Sequence, residues 1–282
     1  MKGRLLISAA MVAFALLSYY GYREVNPVTG EKQAVGLSQE QEVALGLQAA
    51  PRMAQEMGGL DPDDSVQADV EAVGQRVVAQ SVAGRTPYKF RFRVLADQDT
   101  VNAFALPGGP IFVTRGLLRG LRNEAQLAGV LGHEVGHVVA RHSSEQIAKS
   151  QFAQRLVGAV GVAASDEQGR GQQAAQMAAL VSQLAQLRYG RQDELQADAL
   201  GVDLMSDAKY DPRALIEVMA ILAREGGGSR TAQFLSSHPD PGNRQENIRE
   251  AIAKKFPGGV PSNLTVGRTI SSSTEASAER PR

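Results

Sequence analysis

The chain has 282 residues, with 30 basic and 30 acidic side chains and no cysteine. Without cysteine, disulfides, thiolate metal sites, a cysteine nucleophile and lipid attachment through cysteine are all excluded. The balanced charge, the absence of tryptophan and an aromatic content of only 5% argue against a nucleic-acid-binding surface, which needs a basic excess or stacking side chains. The length predicts one domain of ordinary to large size between two ends of different composition.

Residues 1–22 combine a short basic start with an apolar run from Leu5 to Leu17 and three tyrosines after it. This pattern is typical of a secretory signal peptide or of an uncleaved membrane anchor with tyrosines at the interface. A buried core helix is the third alternative. The Ala-x-Ala at 13–15 lies inside the apolar run, where cleavage is implausible, and this favours the anchor. We therefore expect residues 5–22 to hold the rest of the chain at a membrane, on its periplasmic or extracytoplasmic side.

The next part of the chain predicts two helices and a small sheet. A polar linker is predicted at 23–37, followed by helices at 38–57 and 65–81. The stretch "KFRFRVL" alternates apolar and basic side chains, which is typical of a half-buried strand. A Pro-Gly-Gly-Pro turn then leads into a short strand at Ile111–Thr114. Because this strand is entered through proline, we expect it at a sheet edge.

The rest of the chain is predominantly helical. Asn123 is a good N-cap, with Gln126 at the capping-box position. After this helix, further helical patterns are present at 144–162, 172–206, 212–224 and up to about 255. From 257 to 282 the chain is polar and of low complexity, typical of a disordered tail. The pattern predicts an α+β fold that is mainly helical, with its domain at 38–256.

The stretch "VLGHEVGHVVARH" holds three of the four histidines of the chain. On a helix, His133 and His137 share one face, so that one ion can contact both. Glu134 lies about 100° further round and can approach a ligand of that ion without binding the metal. His-Glu-x-x-His therefore predicts two nitrogen ligands and a carboxylate base for zinc, which needs a third protein ligand and an open position. The alternative is a helix that carries histidines for packing or solubility.

The residues around this motif favour a site. The flanks are mostly apolar, which predicts a buried helix, and buried histidine and glutamate need partners. Gly129, Gly132 and Gly136 fall on one side of the helix, and each costs about 1 kcal/mol relative to alanine. We therefore expect another element to pack very close to that side.

His142 tests the type of site. One metalloprotease group places a third ligating histidine six residues after the second, beyond a glycine that turns the chain. Here the separation from His137 is five residues and no glycine intervenes. On a continuing helix His142 is rotated away from His137, so we interpret it as a non-ligand.

The third ligand must come from elsewhere in the chain, and His238 and a carboxylate are the candidates. In "GRQDELQADALG", Glu194 and Asp198 lie four apart on a predicted helix. Glu194 could bind zinc, and Asp198 could accept a hydrogen bond from a ligating histidine. On spacing alone, an exposed acidic face is the commoner explanation of such a pair.

Four motifs, in this order, resemble the M48 family of zinc metallopeptidases: "NAFALPGGPIFVTRGLL", "LGHEVGHVVARH", "DELQADALG" and "SSHPDPGNR". The family includes the CAAX prenyl protease and exported bacterial relatives, and the resemblance covers about 38–255. It implies a zincin-like fold, in which an active-site helix lies beside a small mixed sheet with an edge strand and a second helix supplies a glutamate. It also implies one zinc ion per chain.

The resemblance implies roles for individual residues. His133, His137 and Glu194 match the zinc ligands, Glu134 matches the catalytic base, and Asp198 matches the hydrogen-bond partner of a ligand.

Further residues match the region around this site. His238 matches a histidine whose loop can close over the site in bacterial relatives, and Arg244 matches an arginine just beyond it. Either could stabilise the oxyanion, and His238 could instead bind zinc in a latent state. The region of the Pro-Gly-Gly-Pro turn matches the substrate-facing edge strand, with implied substrate-binding residues Asn102, Ala103, Phe104, Gly109, Ile111, Phe112 and Val113.

Together these features predict a zinc-dependent endopeptidase that hydrolyses unfolded, misassembled or damaged proteins. Such a substrate would lie extended along the edge strand, a mode that reads backbone rather than sequence. The alternative is a chaperone-like assembly factor or holdase that binds exposed strands with little proteolysis. The sequence shows neither the multi-span membrane domain nor the helical repeats of some relatives, so prenyl-protein processing and repeat-mediated partner binding are not implied.

Overall fold

The computed structural model describes residues 2–21, 23–164, 189–225, 234–239 and 242–270. The helices within them are α1 (Lys2–Gly21), α2 (Gln39–Glu56), α3 (Asp64–Ala79), α4 (Arg115–Gly120), α5 (Glu124–Val139), α6 (His142–Ala164), α7 (Arg191–Asp207), α8 (Arg213–Glu225), α9 (Phe234–Ser237) and α10 (Arg244–Lys255). The strands are β1 (Arg23–Val25), β2 (Lys32–Ala34), β3 (Arg91–Leu95), β4 (Ala103–Ala105) and β5 (Pro110–Thr114). The predicted α+β, mainly helical fold is confirmed. The part of the predicted 172–206 helix before Tyr189 lies outside the described residues.

The main sheet has three strands in the order β3-β5-β4, with β5 parallel to β3 and antiparallel to β4. The prediction that Ile111–Thr114 is an edge strand is therefore wrong, because β5 is central and β3 and β4 are the two edge strands. Pro110 is the first residue of β5, where a strand tolerates a residue without an N–H. The side chains of Ile111 and Val113 are buried in the core.

The helix α5 carries the His-Glu-x-x-His motif, and a segment near the end of the chain satisfies its first N–H groups. Asn123 caps the helix as predicted, since its side chain accepts from the N–H of Gln126 (3.0 Å). The N–H groups of Glu124 and Ala125 donate to carbonyls at 268 (3.0 Å) and 266 (2.9 Å). Residues 257–270 are therefore packed in the fold and not a disordered tail, whereas 271–282 lie outside the described residues.

The other end of α5 is capped by the β1–β2 hairpin, in the segment predicted to be a linker. The Asn26 side chain donates to the carbonyl of Val139 (2.9 Å), and the Gln33 side chain donates to that of Ala140 (2.6 Å). Both polar side chains are buried. Helix ends leave carbonyls without intrahelical partners, so these side chains stabilise the end of a buried helix.

After α5 the chain makes a sharp turn at Arg141, which has a left-handed backbone with φ of 61°. This conformation is unfavourable for a long side chain. The guanidinium compensates, because it bonds to the buried Glu42 carboxylate (2.8 Å) and to the carbonyl of Leu37 (2.7 Å). The hydroxyl of Tyr88 donates to the same carboxylate (2.8 Å). The turn ends α5 and starts α6 in a new direction.

The glycines of α5 allow a close approach of α7, as predicted. A Cβ added at Gly132 would lie 3.3 Å from the carbonyl oxygen of Gly201, and one at Gly136 would lie 3.1 Å from that of Ala197. The contact is mutual, since a Cβ at Gly201 would lie 3.2 Å from the backbone nitrogen of His133. The two helices are therefore in backbone contact beside the histidines.

The N-terminal helix α1 packs along α6, where Tyr19 stacks on Phe152 with ring centres 4.6 Å apart. Much of its other side is exposed and apolar. Among the described residues, we find no helix with both the length and the apolar character needed to cross a membrane. Met1 and Tyr22 of the predicted signal or anchor segment lie outside the described residues.

We predict that Asn26→Ala lowers the free energy of unfolding by about 1–3 kcal/mol, because it removes a buried side chain that bonds to the end of α5. Lys32→Ala, at an exposed position of the same hairpin, is the matched control and should change it by no more than about 0.5 kcal/mol. Chemical denaturation followed by circular dichroism measures both. Equal effects of the two variants would contradict this role of the hairpin.

Candidate active site

The helix α5 places three side chains of the motif in the interior. His133, Glu134 and His137 are almost completely buried. The Nε2 atoms of the two histidines are 3.0 Å apart, so both rings point at one location. The i, i+4 spacing therefore produces the convergence that a shared ion requires.

The helix α7 brings a carboxylate to the same location. Glu194 is buried. Its Oε2 lies 3.5 Å from Nε2 of His133, and its Oε1 lies 3.5 Å from Nε2 of His137. Burial would raise the pKa of Glu194, but the surrounding histidines outweigh it and hold this pKa well below its ordinary value. The exposed acidic face that spacing alone favoured is excluded for Glu194, because none of its surface faces solvent.

His238, which follows α9, completes the cluster. Its Nδ1 lies 3.0 Å from Glu194 Oε1 and 3.3 Å from Nε2 of His133. One donor atom from each of His133, His137, Glu194 and His238 lies within 4.8 Å of the others. Both sequence candidates for the third ligand, His238 and a carboxylate, are thus present together.

This cluster, which we call the donor cluster (His133, His137, Glu194 and His238), fits a zinc ion by chemistry and by spacing. Three imidazole nitrogens and one carboxylate oxygen are ligands that zinc prefers. Ligands about 2.0–2.1 Å from a tetrahedral zinc are about 3.3 Å apart, and the distances of 3.0–3.5 Å given above are close to this value. Burial opposes the charged form of His133, but hydrogen bonds to Asp198 and Glu194 dominate and raise its pKa to about 9. The carboxylates thus favour positive charge at the position where a cation would bind.

Two further side chains, Asp198 and Arg244, hold the donor atoms in place. The Nδ1 of His133 lies 2.9 Å from Asp198 Oδ1. Arg244 bonds to both oxygens of Asp198 (2.6 and 2.8 Å) and lies 3.2 Å from Glu194. Burial would raise the pKa of Asp198, but the Arg244 charge outweighs it and lowers that pKa. Arg244 is therefore placed to orient these carboxylates, and its Nη2 also lies 3.1 Å from Nε2 of His133.

Glu134 lies beside the cluster without the partners that a buried carboxylate usually has. Neither oxygen has a hydrogen-bond partner among the described residues, and Oε1 is 3.5 Å from Nε2 of His238. Burial raises the pKa of Glu134. A poorly solvated carboxylate at this position can accept a proton from a water molecule that approaches the cluster, as a general base does.

His142 occupies a position that the sequence did not predict. Because the chain turns at Arg141, His142 does not lie on a continuation of α5, and the expected rotation away from His137 is wrong. Its Nδ1 is 2.9 Å from Nδ1 of His137, and its Nε2 is 2.8 Å from Oε1 of Gln196. His142 therefore contacts the ring edge of His137 that faces away from the donor cluster.

The residues matched to substrate binding fall into two groups. Asn102, Ala103 and Phe104 lie on or beside the edge strand β4, and the Asn102 Oδ1 atom is buried without a hydrogen-bond partner among the described residues. The others lie in or beside the central strand β5 and are buried: Gly109, Ile111, Phe112 and Val113. Their match to an edge strand does not hold, because β5 lies between β3 and β4.

Sequence reasoning missed two aromatic contacts at the site. The Tyr189 ring stacks on His137 with centres 3.8 Å apart, and its hydroxyl is 3.0 Å from that of Ser143. Phe234 stacks on His238 with centres 4.3 Å apart. Tyr189 precedes Gly190, which is the N-cap of α7. In the sequence, Gly190 is the signal for this helix start.

Comparison with known proteins agrees with this geometry. Residues 64–252 match peptidase family M48. The chain is 32% identical over 247 residues to the mitochondrial metalloendopeptidase OMA1 of Schizosaccharomyces pombe, covering 86% of this chain and 71% of that protein. It is 31% identical over 217 residues to the beta-barrel assembly-enhancing protease of Escherichia coli, covering 71% of this chain but only 42% of that protein.

A plant relative gives a shorter match, 33% identity over 177 residues to the mitochondrial metalloendopeptidase OMA1 of Arabidopsis thaliana, covering 62% of this chain and 34% of that protein. The chain thus spans less than half the length of the bacterial and plant relatives. The family match extends over more than half of the chain and includes every residue of the donor cluster. The chain therefore belongs to peptidase family M48 and is a metalloendopeptidase.

Proposed function

We propose that this protein is a zinc-dependent endopeptidase that cleaves unfolded, misassembled or damaged polypeptides. The observation that carries the proposal is the convergence of His133, His137 and Glu194 beside a buried Glu134, whose oxygens have no hydrogen-bond partner in the described part of the chain. Two imidazoles, a carboxylate and an adjacent glutamate are the components of a zinc peptidase site. A purely structural zinc site would not need a glutamate held at this position.

His133, His137 and Glu194 would hold the zinc ion, one per chain. Bound there, zinc would supply Lewis acidity that polarises a carbonyl and makes water more acidic. Glu134 takes a proton from the attacking water as the oxygen bonds to the scissile carbonyl carbon. It then gives this proton to the leaving amine as the C–N bond breaks. The raised pKa of Glu134 suits both steps. A more basic carboxylate takes the proton from water more readily, and a pKa nearer neutral pH lets the same group hold the proton until the amine leaves.

Asp198 and Arg244 support the ligands in this proposal. Asp198 accepts from Nδ1 of His133, which keeps the Nε2 lone pair directed at the donor cluster. Arg244 neutralises Asp198 and contacts Glu194, so we assign it to ligand orientation. Any movement of Arg244 towards an oxyanion would weaken its bonds to two buried carboxylates, which is costly.

The edge strand β4 is the proposed binding site for the substrate backbone. The Asn102 carbonyl accepts from the N–H of Thr114 (2.9 Å), and the N–H of Leu106 donates to the carbonyl of Pro110 (2.8 Å). The backbone groups of the alternate residues Ala103 and Ala105 therefore face away from β5. An extended peptide could add to this edge, with Asn102 available for a further hydrogen bond. Recognition through backbone groups suits substrates that expose unfolded strands.

Several features support a closed, latent form of the enzyme in this structure. Ala103 at the proposed substrate edge is fully buried. Nδ1 of His238 lies in the donor cluster, and its ring lies between the cluster and Glu134. A water molecule would need this position to contact both the metal and the base. We therefore propose that His238 must move before substrate can be cleaved.

The N-terminal segment supports a proposal for the site of action. We propose that the enzyme works on the exported side of a bacterial membrane, supported by the basic start and the apolar run of residues 5–17. The exposed apolar side of α1, with Leu17 73% exposed, supports contact with a membrane surface.

Fractionation of cells that produce the full chain tests this location. We expect the protein in the membrane or periplasmic fraction and, in intact spheroplasts, accessible to added protease. Deletion of residues 2–21 should move it to the cytoplasm. Equal protection of both forms from protease would contradict an exported location.

We predict that Glu134→Gln keeps one zinc per chain but reduces cleavage of unfolded casein by at least about 100-fold, because a general base contributes about 100- to 10,000-fold. Zinc content is measured by mass spectrometry, and chelation of the unchanged protein should abolish cleavage until zinc is restored. Glu250→Gln, at an exposed position of α10, should keep full activity. A chain without zinc and without cleavage would contradict the proposal.

The same variant separates the enzyme from the holdase alternative. If Glu134→Gln performs the whole role of the protein in cells that lack the native gene, strand binding and not hydrolysis is the function. If it fails while retaining zinc and fold, hydrolysis is required.

We predict that His238→Ala increases casein cleavage severalfold at saturating zinc, because three protein ligands remain and the fourth position opens for water. Ser236→Ala, at an exposed position of α9, should leave the rate unchanged. A loss of activity would instead assign His238 to catalysis, and an unchanged rate would contradict both roles.

A further inference from the structure

We propose that His142 is a positioning residue which, together with Gln196, holds His137 in the tautomer whose Nε2 lone pair faces the donor cluster. The inference rests on the proposed ligation of zinc by His137. His142, the third histidine of the motif stretch, thus has a role without binding the metal, because it orients a ligand.

Three side chains form a line that ends at the donor cluster. Oε1 of Gln196 is 2.8 Å from Nε2 of His142, and Nδ1 of His142 is 2.9 Å from Nδ1 of His137. On the other edge of its ring, Nε2 of His137 is 3.0 Å from Nε2 of His133. His142 is 2% exposed, so water does not compete strongly for its nitrogens.

The direction of the hydrogen bonds follows from the chemistry of the groups. A neutral imidazole has one N–H donor and one acceptor nitrogen. The amide oxygen of Gln196 only accepts, so Nε2 of His142 donates and its Nδ1 must accept. His137 then donates from Nδ1, which leaves Nε2 of His137 unprotonated and able to bind a metal.

The two ligating histidines are therefore oriented by different groups. Asp198 accepts from Nδ1 of His133 and brings its own counter-charge, Arg244. A second carboxylate behind His137 would add a negative charge to a buried region that already holds Glu134, Glu194 and Asp198. A neutral histidine and amide provide the acceptor without that charge.

The turn at Arg141 is what places His142 behind His137. Had α5 continued, His142 would lie further round the helix from His137. The left-handed residue at 141 lets His142 begin α6 beside the ring edge of His137. The ion pair between Arg141 and Glu42 stabilises this turn, so α2 supports the orientation of a proposed zinc ligand.

Zinc affinity of the full chain, measured by competition with a chelating dye, tests the inference. We expect His142→Phe, which has no acceptor, to weaken zinc binding about 10- to 100-fold. His142→Asn restores an acceptor oxygen near the position of Nδ1 and should retain most of the affinity. Gln196→Leu should weaken binding, whereas Gln192→Leu, at an exposed position one turn earlier on α7, should not. Equal losses for His142→Phe and His142→Asn would overturn the inference.

The tautomers can also be read directly in the unchanged protein, which avoids variants that fail to fold. Long-range proton–nitrogen correlation spectra of histidine-labelled, zinc-loaded protein should show His137 protonated at Nδ1 and His142 protonated at Nε2. A proton on Nδ1 of His142 would overturn the inference. The two failures are distinguishable, because failure of the proposed function means that the unchanged protein binds no zinc. Failure of this inference alone leaves zinc binding intact and independent of His142.

Discussion

The backbone contact between α5 and α7 is the constraint on which the rest of the site depends. Gly132 and Gly136 on one helix and Gly201 on the other leave room for the two backbones but not for an added Cβ without displacement. Glu194 reaches both histidines only because its helix lies this close. A larger residue at these glycines would separate the helices and draw the carboxylate out of the donor cluster. The glycines are unfavourable for helix formation, and their cost is offset by the geometry that they permit.

A buried helix at this position also needs partners for both of its ends. The hairpin at 23–34 bonds to the last carbonyls of α5, and residues 266 and 268 accept from its first N–H groups. These segments lie far from the motif in sequence, yet they let the helix sit in the core without unsatisfied backbone groups. The regions outside the central motifs are therefore part of the structure that supports the site.

The buried carboxylates around the donor cluster differ in whether a cationic side chain offsets their charge. Glu194 and Asp198 are ionised and buried, and the guanidinium of Arg244 contacts both and offsets part of their charge. Glu134 differs from them, since neither of its oxygens has a hydrogen-bond partner among the residues that the structure describes. The pKa of Glu194 is thus held low while burial raises that of Glu134, the separation expected for the ligand and the base that we propose.

Local sequence patterns determined a large part of this protein. The spacing of His133 and His137, the N-cap at Asn123 and the glycine face each depend on residues within a few turns of one helix, so they could be predicted. The resemblance to family M48 added Glu194 and Asp198, whose spacing alone favoured an exposed face.

The tertiary structure decided what depends on distant partners. Strand order is set by pairing between separate segments, which placed Ile111–Thr114 at the centre of the sheet. The packing of 23–37 and 257–270 depends on the ends of a helix elsewhere in the chain. His142 reaches His137 because Arg141 takes a left-handed conformation that Glu42, far away in sequence, stabilises. Periodicity records only which side chains share a face of one element, whereas contacts between elements depend on how the whole core packs.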